Sequence, residues 1–148
     1  MTPRNPDYEQ TVREAFARQP FMGYIGARVA EVRPGFVELR LAYRDEVGQN
    51  HGFFHGGVIG SLADVAGGFA AYSLLPPNSS VLTVEYKINI IAPGRGDELI
   101  SRAQVVRAGR TLIFTEIKVC VAADGTESLN AVALQTIRAM TGGPGIAF

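Results

Sequence analysis

The stretch His55-Gly56-Gly57-Val58-Ile59-Gly60-Ser61-Leu62-Ala63-Asp64-Val65-Ala66-Gly67-Gly68-Phe69-Ala70-Ala71-Tyr72 has the composition of one long apolar helix. Asp64 is the only charged residue of the chain between His55 and Glu85. Desolvating an ionised carboxylate is costly unless the carboxylate is paired or hydrogen-bonded. We interpret Asp64 as a functional residue. The alternative is a structural carboxylate that is bonded to helix N-terminal amides across a dimer interface.

The apolar helix has almost no polar face, so other elements must cover it on most sides. We predict that it runs from about residue 56 to Leu75, because Pro76-Pro77 cannot continue it. Glycine costs a helix about 1 kcal/mol relative to alanine. Three glycines inside this helix, Gly60, Gly67 and Gly68, therefore indicate close approach of neighbouring groups.

The rest of the chain is predicted to form one N-terminal helix and an antiparallel sheet. Apolar spacing predicts the helix over residues 7–18, within an N-terminal segment of about residues 1–20. Alternating patterns predict strands over 25–31, 36–43, 82–90, 97–107, 111–122 and 129–140. In strand 82–90 we expect Leu82, Val84, Tyr86, Ile88 and Ile90 on one face and Thr83 on the other.

These elements predict an α+β fold in which an antiparallel sheet is wrapped around one long central helix. No linker or repeat divides the sequence, so residues 1–148 are predicted to be a single domain with a loose tail at 141–148.

Composition excludes several classes of protein. Acidic and basic residues number 14 each, with an isoelectric point near 6.7, which argues against a nucleic-acid-binding surface. The single cysteine, Cys120, forbids an internal disulfide and is expected to lie in the core. Two histidines without a cluster of ligands predict no metal site. With no signal sequence or spanning segment, we expect a soluble, cytoplasmic protein.

Three motifs together resemble the hot-dog fold and, within it, the PaaI-like acyl-CoA thioesterases. The first motif is Gly52-Phe53-Phe54-His55-Gly56-Gly57, with Asp64 seven residues after the second glycine. The second is Thr83-Val84-Glu85-Tyr86 leading to Asn89 and Pro93, and the third is Arg107-Ala108-Gly109-Arg110-Thr111. The resemblance covers about residues 21–140.

The resemblance implies a role for each residue of an active site. Asp64 would act as nucleophile or general base on the thioester carbonyl. The backbone amide of Gly56 at the helix start would polarise the carbonyl oxygen, and Gly57 would extend that turn. A hydroxyl at Thr83 would orient the carboxylate or the water.

An amide side chain before the helix is also implied, to position the carbonyl or a water. Either Gln49 or Asn50 can fill this role. His55 is expected to fix the loop by hydrogen bonds more than to act as a base. Ser61 has no nucleophile-elbow motif around it, so we interpret it as a small packing residue.

The substrate-binding residues implied by the resemblance are Gly68, Phe54, Arg107 and Arg110. The small Gly68 would leave room for the ligand or a second helix, and the bulky Phe54 would narrow the acyl pocket. Arginine binds phosphate bidentately, so Arg110 first, and Arg107, would contact coenzyme A. The alternative is that these arginines form a solvated strand rim.

The implied activity is hydrolysis of an acyl- or aryl-acyl-CoA thioester, with no cofactor beyond the coenzyme A of the substrate. The implied assembly is a homodimer with shared active sites: Gln49, His55 and Gly56 from one subunit would face Asp64 and Thr83 of the other. Two dimers would form a tetramer. The alternatives are a non-catalytic acyl-CoA sensor and an acyl-CoA dehydratase or hydratase of the same fold.

Overall fold

The structure is a computed structural model that describes residues 1–141, so most of the predicted loose tail at 141–148 lies outside the described residues. The helices are α1 (Tyr8–Ala17), α2 (Pro20–Ile25) and α3 (Gly56–Tyr72). The strands are β1 (Arg28–Arg33), β2 (Phe36–Ala42), β3 (Ser80–Ile90), β4 (Glu98–Ala108), β5 (Leu112–Ala123) and β6 (Thr126–Met140).

The six strands form one antiparallel sheet in the order β1-β2-β4-β5-β6-β3. The helix α3 packs against β2, β3, β4, β5 and β6 on the inner face of this sheet, and the apolar core lies between them. This arrangement confirms the predicted α+β fold with a sheet around a central helix. No helix within residues 1–141 is long and apolar enough to span a membrane.

One stripe of α3 is not covered by the sheet. Its members are all half-buried: Val58, Ser61, Asp64, Val65, Gly68 and Tyr72. They recur at helical spacing, so they share one side of the helix. The prediction that α3 is covered nearly all round is therefore wrong for this side, and Asp64 lies at the boundary between core and solvent.

Two predicted boundaries are also wrong. Helix α3 ends at Tyr72 rather than Leu75, because the Ser73 hydroxyl donates to the carbonyl of Ala70 at 2.7 Å and the chain tightens into turns. The strand predicted from Ile25 begins only at Arg28, because Pro20 starts a short helix that Gly26 ends with a left-handed φ of 80°.

The predicted alternation of strand β3 fails at Val84, which is a bulge between the paired positions Thr83 and Glu85. A bulge inserts one residue and reverses which side chains face inward. As a result Thr83 lies on the same inner face as Tyr86, whose hydroxyl lies beside the helix glycine Gly60. The bulge is what brings Thr83 to α3.

The outer face of the sheet is polar at one end and apolar at the other. Cys120 is half-buried here beside Arg102, where burial raises the pKa of its thiol, so the expectation of a core cysteine is wrong. The polar end is an ion network built around the buried Glu38. The apolar end includes Val106, Phe114 and Leu134, all exposed.

Candidate active site

The Asp64 carboxylate is held by neutral hydrogen-bond donors. The Thr83 hydroxyl donates to Asp64 Oδ1 at 2.7 Å, and the Gln135 Nε2 amide donates to the same oxygen. Gln135 Nε2 also lies 3.1 Å from the Asp64 backbone carbonyl. Within residues 1–141 no lysine, arginine or histidine pairs with Asp64. The carboxylate is therefore oriented without a countercharge.

Gln135 is a residue of this site that the sequence analysis missed. It lies in β6, is 2% exposed, and its Oε1 accepts a hydrogen bond from the buried Thr115 hydroxyl at 3.1 Å. The sequence did carry a signal for it. The inward positions of β6 are otherwise apolar (Ala131, Ala133, Ile137 and Ala139), so an amide among them stands out.

The start of α3 presents free backbone donors. His55 is the N-cap residue, and its Nδ1 accepts from the Gly57 amide at 2.9 Å. Its side chain therefore has the structural role of fixing the helix start. Within the described part of the chain no acceptor contacts the amide of Gly56. A free amide at the positive end of a helix is suited to binding an anionic oxygen.

The two amide candidates differ in their contacts. The side chain of Gln49 folds back so that its Oε1 accepts from the backbone amide of His51, and the Gln49 backbone closes the loop with Phe53 at 2.8 Å. Asn50 is exposed, and its Nδ2 lies 3.3 Å from the His51 ring. The loop therefore fixes Gln49 more firmly than Asn50.

One chain does not bring all the predicted site residues together. Asp64 meets Thr83, but Gly56 lies eight residues earlier on the same helix. At 1.5 Å per residue this places Gly56 about 12 Å from Asp64 along the axis. One carbonyl group cannot contact both of them within a single chain.

The predicted substrate residues have different environments. Phe54 is 2% exposed and packs edge-on against Tyr43, with ring centroids 5.2 Å apart, so its side chain belongs to the core. At Gly68 an added Cβ would meet nothing within 4 Å, which leaves open space beside Asp64's helix face. Arg107 and Arg110 are exposed at the turn between β4 and β5.

Among the described residues no group of three or more histidine, cysteine, aspartate or glutamate side chains is arranged to hold a metal ion. The functional groups near Asp64 are hydroxyl and amide donors. These groups can orient a carboxylate and a water molecule. An oriented carboxylate and water are what acid–base or nucleophilic chemistry at a carbonyl requires.

Comparison with known proteins identifies similar chains. Residues 51–128 match the family described as the thioesterase superfamily. A solved thioesterase family protein from Silicibacter pomeroyi is 41% identical, with a TM-score of 0.89 over 91% of this chain and 99% of that one.

Two proteins of known sequence are also similar. A protein of Halobacterium salinarum provisionally named an esterase is 35% identical over 72% of this chain and 74% of its own. The 1,4-dihydroxy-2-naphthoyl-CoA hydrolase of Listeria monocytogenes is 28% identical over 76% of this chain and 89% of its own. These matches confirm the hot-dog thioesterase resemblance.

Proposed function

Because the chain belongs to the thioesterase superfamily and is a thioester hydrolase, we propose that it hydrolyses acyl-CoA or aryl-acyl-CoA thioesters to free acid and coenzyme A, with Asp64 as the reacting carboxylate. The observation that carries this proposal is the Asp64 carboxylate fixed by Thr83 and Gln135 without a countercharge. These two hydrogen bonds set the orientation of the carboxylate toward the substrate.

In the proposed complex the carbonyl oxygen of the thioester lies at the start of helix α3. The amide of Gly56 donates to this oxygen, and the helix dipole adds to the stabilisation as negative charge develops on it. His55 supports this donor by capping the helix through Gly57. Gly57 thereby holds the turn, while Gly56 acts on the substrate.

Asp64 then supplies the base or the nucleophile. As a base, Asp64 takes a proton from water, the water oxygen bonds to the carbonyl carbon, the C–S bond breaks, and the thiolate of coenzyme A receives the proton. As a nucleophile, its oxygen displaces the thiolate and water cleaves the resulting anhydride. In a single turnover in ¹⁸O-water, label enters Asp64 only by the second route, and only when the water attacks the Asp64 carbonyl carbon of the anhydride; attack at the substrate acyl carbon labels the free acid instead. The amide of Gln49, rather than the exposed Asn50, positions the carbonyl or the water.

A second copy of the chain completes the site, with the start of one α3 facing Asp64 of the other. The sheet supports this assembly. Its edge strand β3 exposes Leu82, Val84 and Tyr86, next to the charged Glu85 and Lys87. The free edge of a sheet carries unpaired backbone groups that can pair with another strand.

Two dimers then associate into a tetramer. The outer face of the sheet carries a groove whose lining includes Phe114 and Leu134, with Lys87 and Glu116 beside them. Side chains of both charges around an apolar centre suit contact between identical surfaces. Sedimentation velocity measures the resulting mass.

The substrate is an acyl group joined to coenzyme A. The Listeria relative acts on a naphthoyl-CoA, so an aromatic acyl group belongs in the first set of compounds tested. The open space at Gly68 accommodates the acyl group. Arg110 and Arg107 are exposed and form no ion pair within residues 1–141. Their guanidinium groups are therefore available to bind the phosphates of coenzyme A.

The experiment is a steady-state assay of the purified protein with acyl-CoAs of graded length, phenylacetyl-CoA, hydroxybenzoyl-CoA and a naphthoyl-CoA. A thiol reagent detects the released coenzyme A. We expect turnover of at least one compound, and a fall in kcat of roughly 10² to 10⁴ for Asp64→Asn. Hydrolysis by Asp64→Asn at the rate of the parent protein contradicts the proposal.

A further inference from the structure

The residue that connects Asp64 to the sheet is a buried glutamine. Gln135 is 2% exposed at an inward position of β6, where its register partners are Thr115 in β5 and Tyr86 in β3. A buried amide is costly unless its donors and acceptor are satisfied. Each end of this amide finds partners, on α3 and β3 at one end and on β5 at the other.

The orientation of the Gln135 amide is set by Asp64. The Asp64 carboxylate and its backbone carbonyl can only accept, so the NH₂ group faces them, and Gln135 Oε1 accepts from the Thr115 hydroxyl at 3.1 Å. The reversed amide would place an oxygen against both acceptors of Asp64. The hydrogen-bond network therefore allows one orientation.

This orientation makes the two oxygens of Asp64 different. Oδ1 accepts from both Thr83 and Gln135, whereas Oδ2 has no donor within residues 1–141. Two donors on one oxygen prevent rotation of the carboxylate, and the second oxygen stays available for reaction.

We propose that Gln135 is a positioning residue for Asp64, which fixes Oδ1 and presents Oδ2 to the substrate, and that Thr115 and Gly67 hold Gln135 in place. This inference rests on the proposed reaction at Asp64.

Gly67 provides an independent sign that the amide position is required. A Cβ at this position would lie 1.9 Å from Gln135 Oε1 and 2.8 Å from Thr115 Oγ1. Thr115 has a short side chain, and both residues are packed in the core, with exposed fractions of 1% for Thr115 and 2% for Gln135. The glycine therefore keeps open the space that the amide occupies, at the cost in helix propensity noted above.

The test is a double-mutant cycle between Gln135→Met and Asp64→Ala. Methionine keeps the length of the side chain but removes the donors. For Gln135→Met we expect kcat to fall about tenfold to a hundredfold, the size of effect that misplacement of a reacting group produces, with KM changed less than about twofold. In the Asp64→Ala background Gln135→Met should cause no further fall, because it acts only through Asp64.

Ser73→Ala is the matched control, since Ser73 is also a buried polar residue and binds the Gly35 amide and the Ala70 carbonyl far from Asp64. It should lower Tm and leave kcat unchanged. If Gln135→Met does not fold, Thr115→Val is used in its place. We expect Thr115→Val to lower kcat about threefold to tenfold. In the Asp64→Ala background it should cause no further fall.

The outcomes separate the two proposals. Full activity of Asp64→Ala overturns the proposed function itself. Loss of activity in Asp64→Ala, combined with a kcat of Gln135→Met within about twofold of the parent protein, overturns the positioning role alone. An equal fall in kcat with and without Asp64 also overturns it, because the effect would then be structural.

Discussion

Two carboxylates of this protein, Glu38 on the outer face of the sheet and Asp64 on α3, are held in opposite ways. Glu38 is 7% exposed and accepts from Arg40 Nε at 2.7 Å and Arg102 Nε at 2.6 Å. Asp64 accepts only from a hydroxyl and an amide. Guanidinium groups neutralise a carboxylate, whereas neutral donors orient it and leave its charge for chemistry.

The network around Glu38 extends across the sheet. Arg40 also binds Glu98 at 3.0 Å, and Arg102 binds Glu127 in a two-bonded pair at 2.6 and 2.9 Å. These pairs connect β2, β4 and β6. The difference between the two regions predicts that changes near Glu38 affect stability and that changes near Asp64 affect turnover.

After the loss of Asp64 itself, the largest effect on turnover is expected from removing the backbone donor of Gly56 at the start of α3. Gly56→Pro deletes the amide hydrogen at the first position of a helix, which tolerates proline, and His55 already has the extended backbone that precedes proline. We expect kcat to fall about 10² to 10³. Gly56→Ala keeps the amide and meets the same neighbour, Ile90 Cδ1 at 3.3 Å.

Gly56→Ala should therefore retain most of the activity in the same steady-state assay. Equal losses in the alanine and proline variants would mean that the side-chain volume, not the amide, is what matters at this position.

The next effect concerns stability. Glu38→Gln leaves Arg40 and Arg102 without their shared partner. Their side chains are about one third exposed, at 30% and 32%, so solvent reduces the penalty below that of a fully buried pair. We expect a loss of about 1–3 kcal/mol in the free energy of unfolding by urea, with kcat retained.

Asp64→Asn should show the converse pattern, with little change in unfolding free energy and a large loss of turnover. A folded Glu38→Gln protein that has lost its activity would break the distinction between the two regions.

The smallest effect is the pH dependence of the Glu127 pair. The hydrogen bond from Arg102 holds the pKa of Glu127 below its usual value. The pair therefore stabilises the fold above the usual pKa, and this contribution is lost as the pH falls through the lowered value. Because the Glu127 side chain is 39% exposed, we expect less than about 1 kcal/mol.

The measurement is the difference in Tm between the parent protein and Glu127→Gln. It should be small but positive at about pH 7 and shrink to zero as the pH falls through the lowered pKa, below which Glu127 is protonated in both states. A difference that grows on acidification would contradict the assigned cause.

The sequence was sufficient for the features that depend on local pattern. An apolar stretch with one charge predicted the helix α3, and the role of position 64 stays a prediction. The dipeptide Asp124-Gly125 is a common hairpin turn sequence, and here it joins β5 to β6 with positive φ at both residues, 50° and 75°. These signals come from residues that are close together in the chain, so one sequence is enough to detect them.

The features that the sequence did not predict depend on contacts across the sheet. The bulge at Val84 became visible only from the pairing of β3 with β6, and it decides that Thr83 faces Asp64. Gln135 lies 71 residues from Asp64 in the chain. A single amide in an alternating strand gives a weak signal until its partners are known.

In the proposed dimer Asp64 of one chain works with the Gly56 amide of another, and an experiment that mixes two inactive variants tests this pairing. Asp64→Asn and Gly56→Pro, each inactive alone, are unfolded, combined in equal amounts and refolded together. Half of the dimers are then mixed, and each mixed dimer has one site with both groups intact, so about a quarter of the parent activity should return. Activity no higher than that of the separate variants would contradict the shared site.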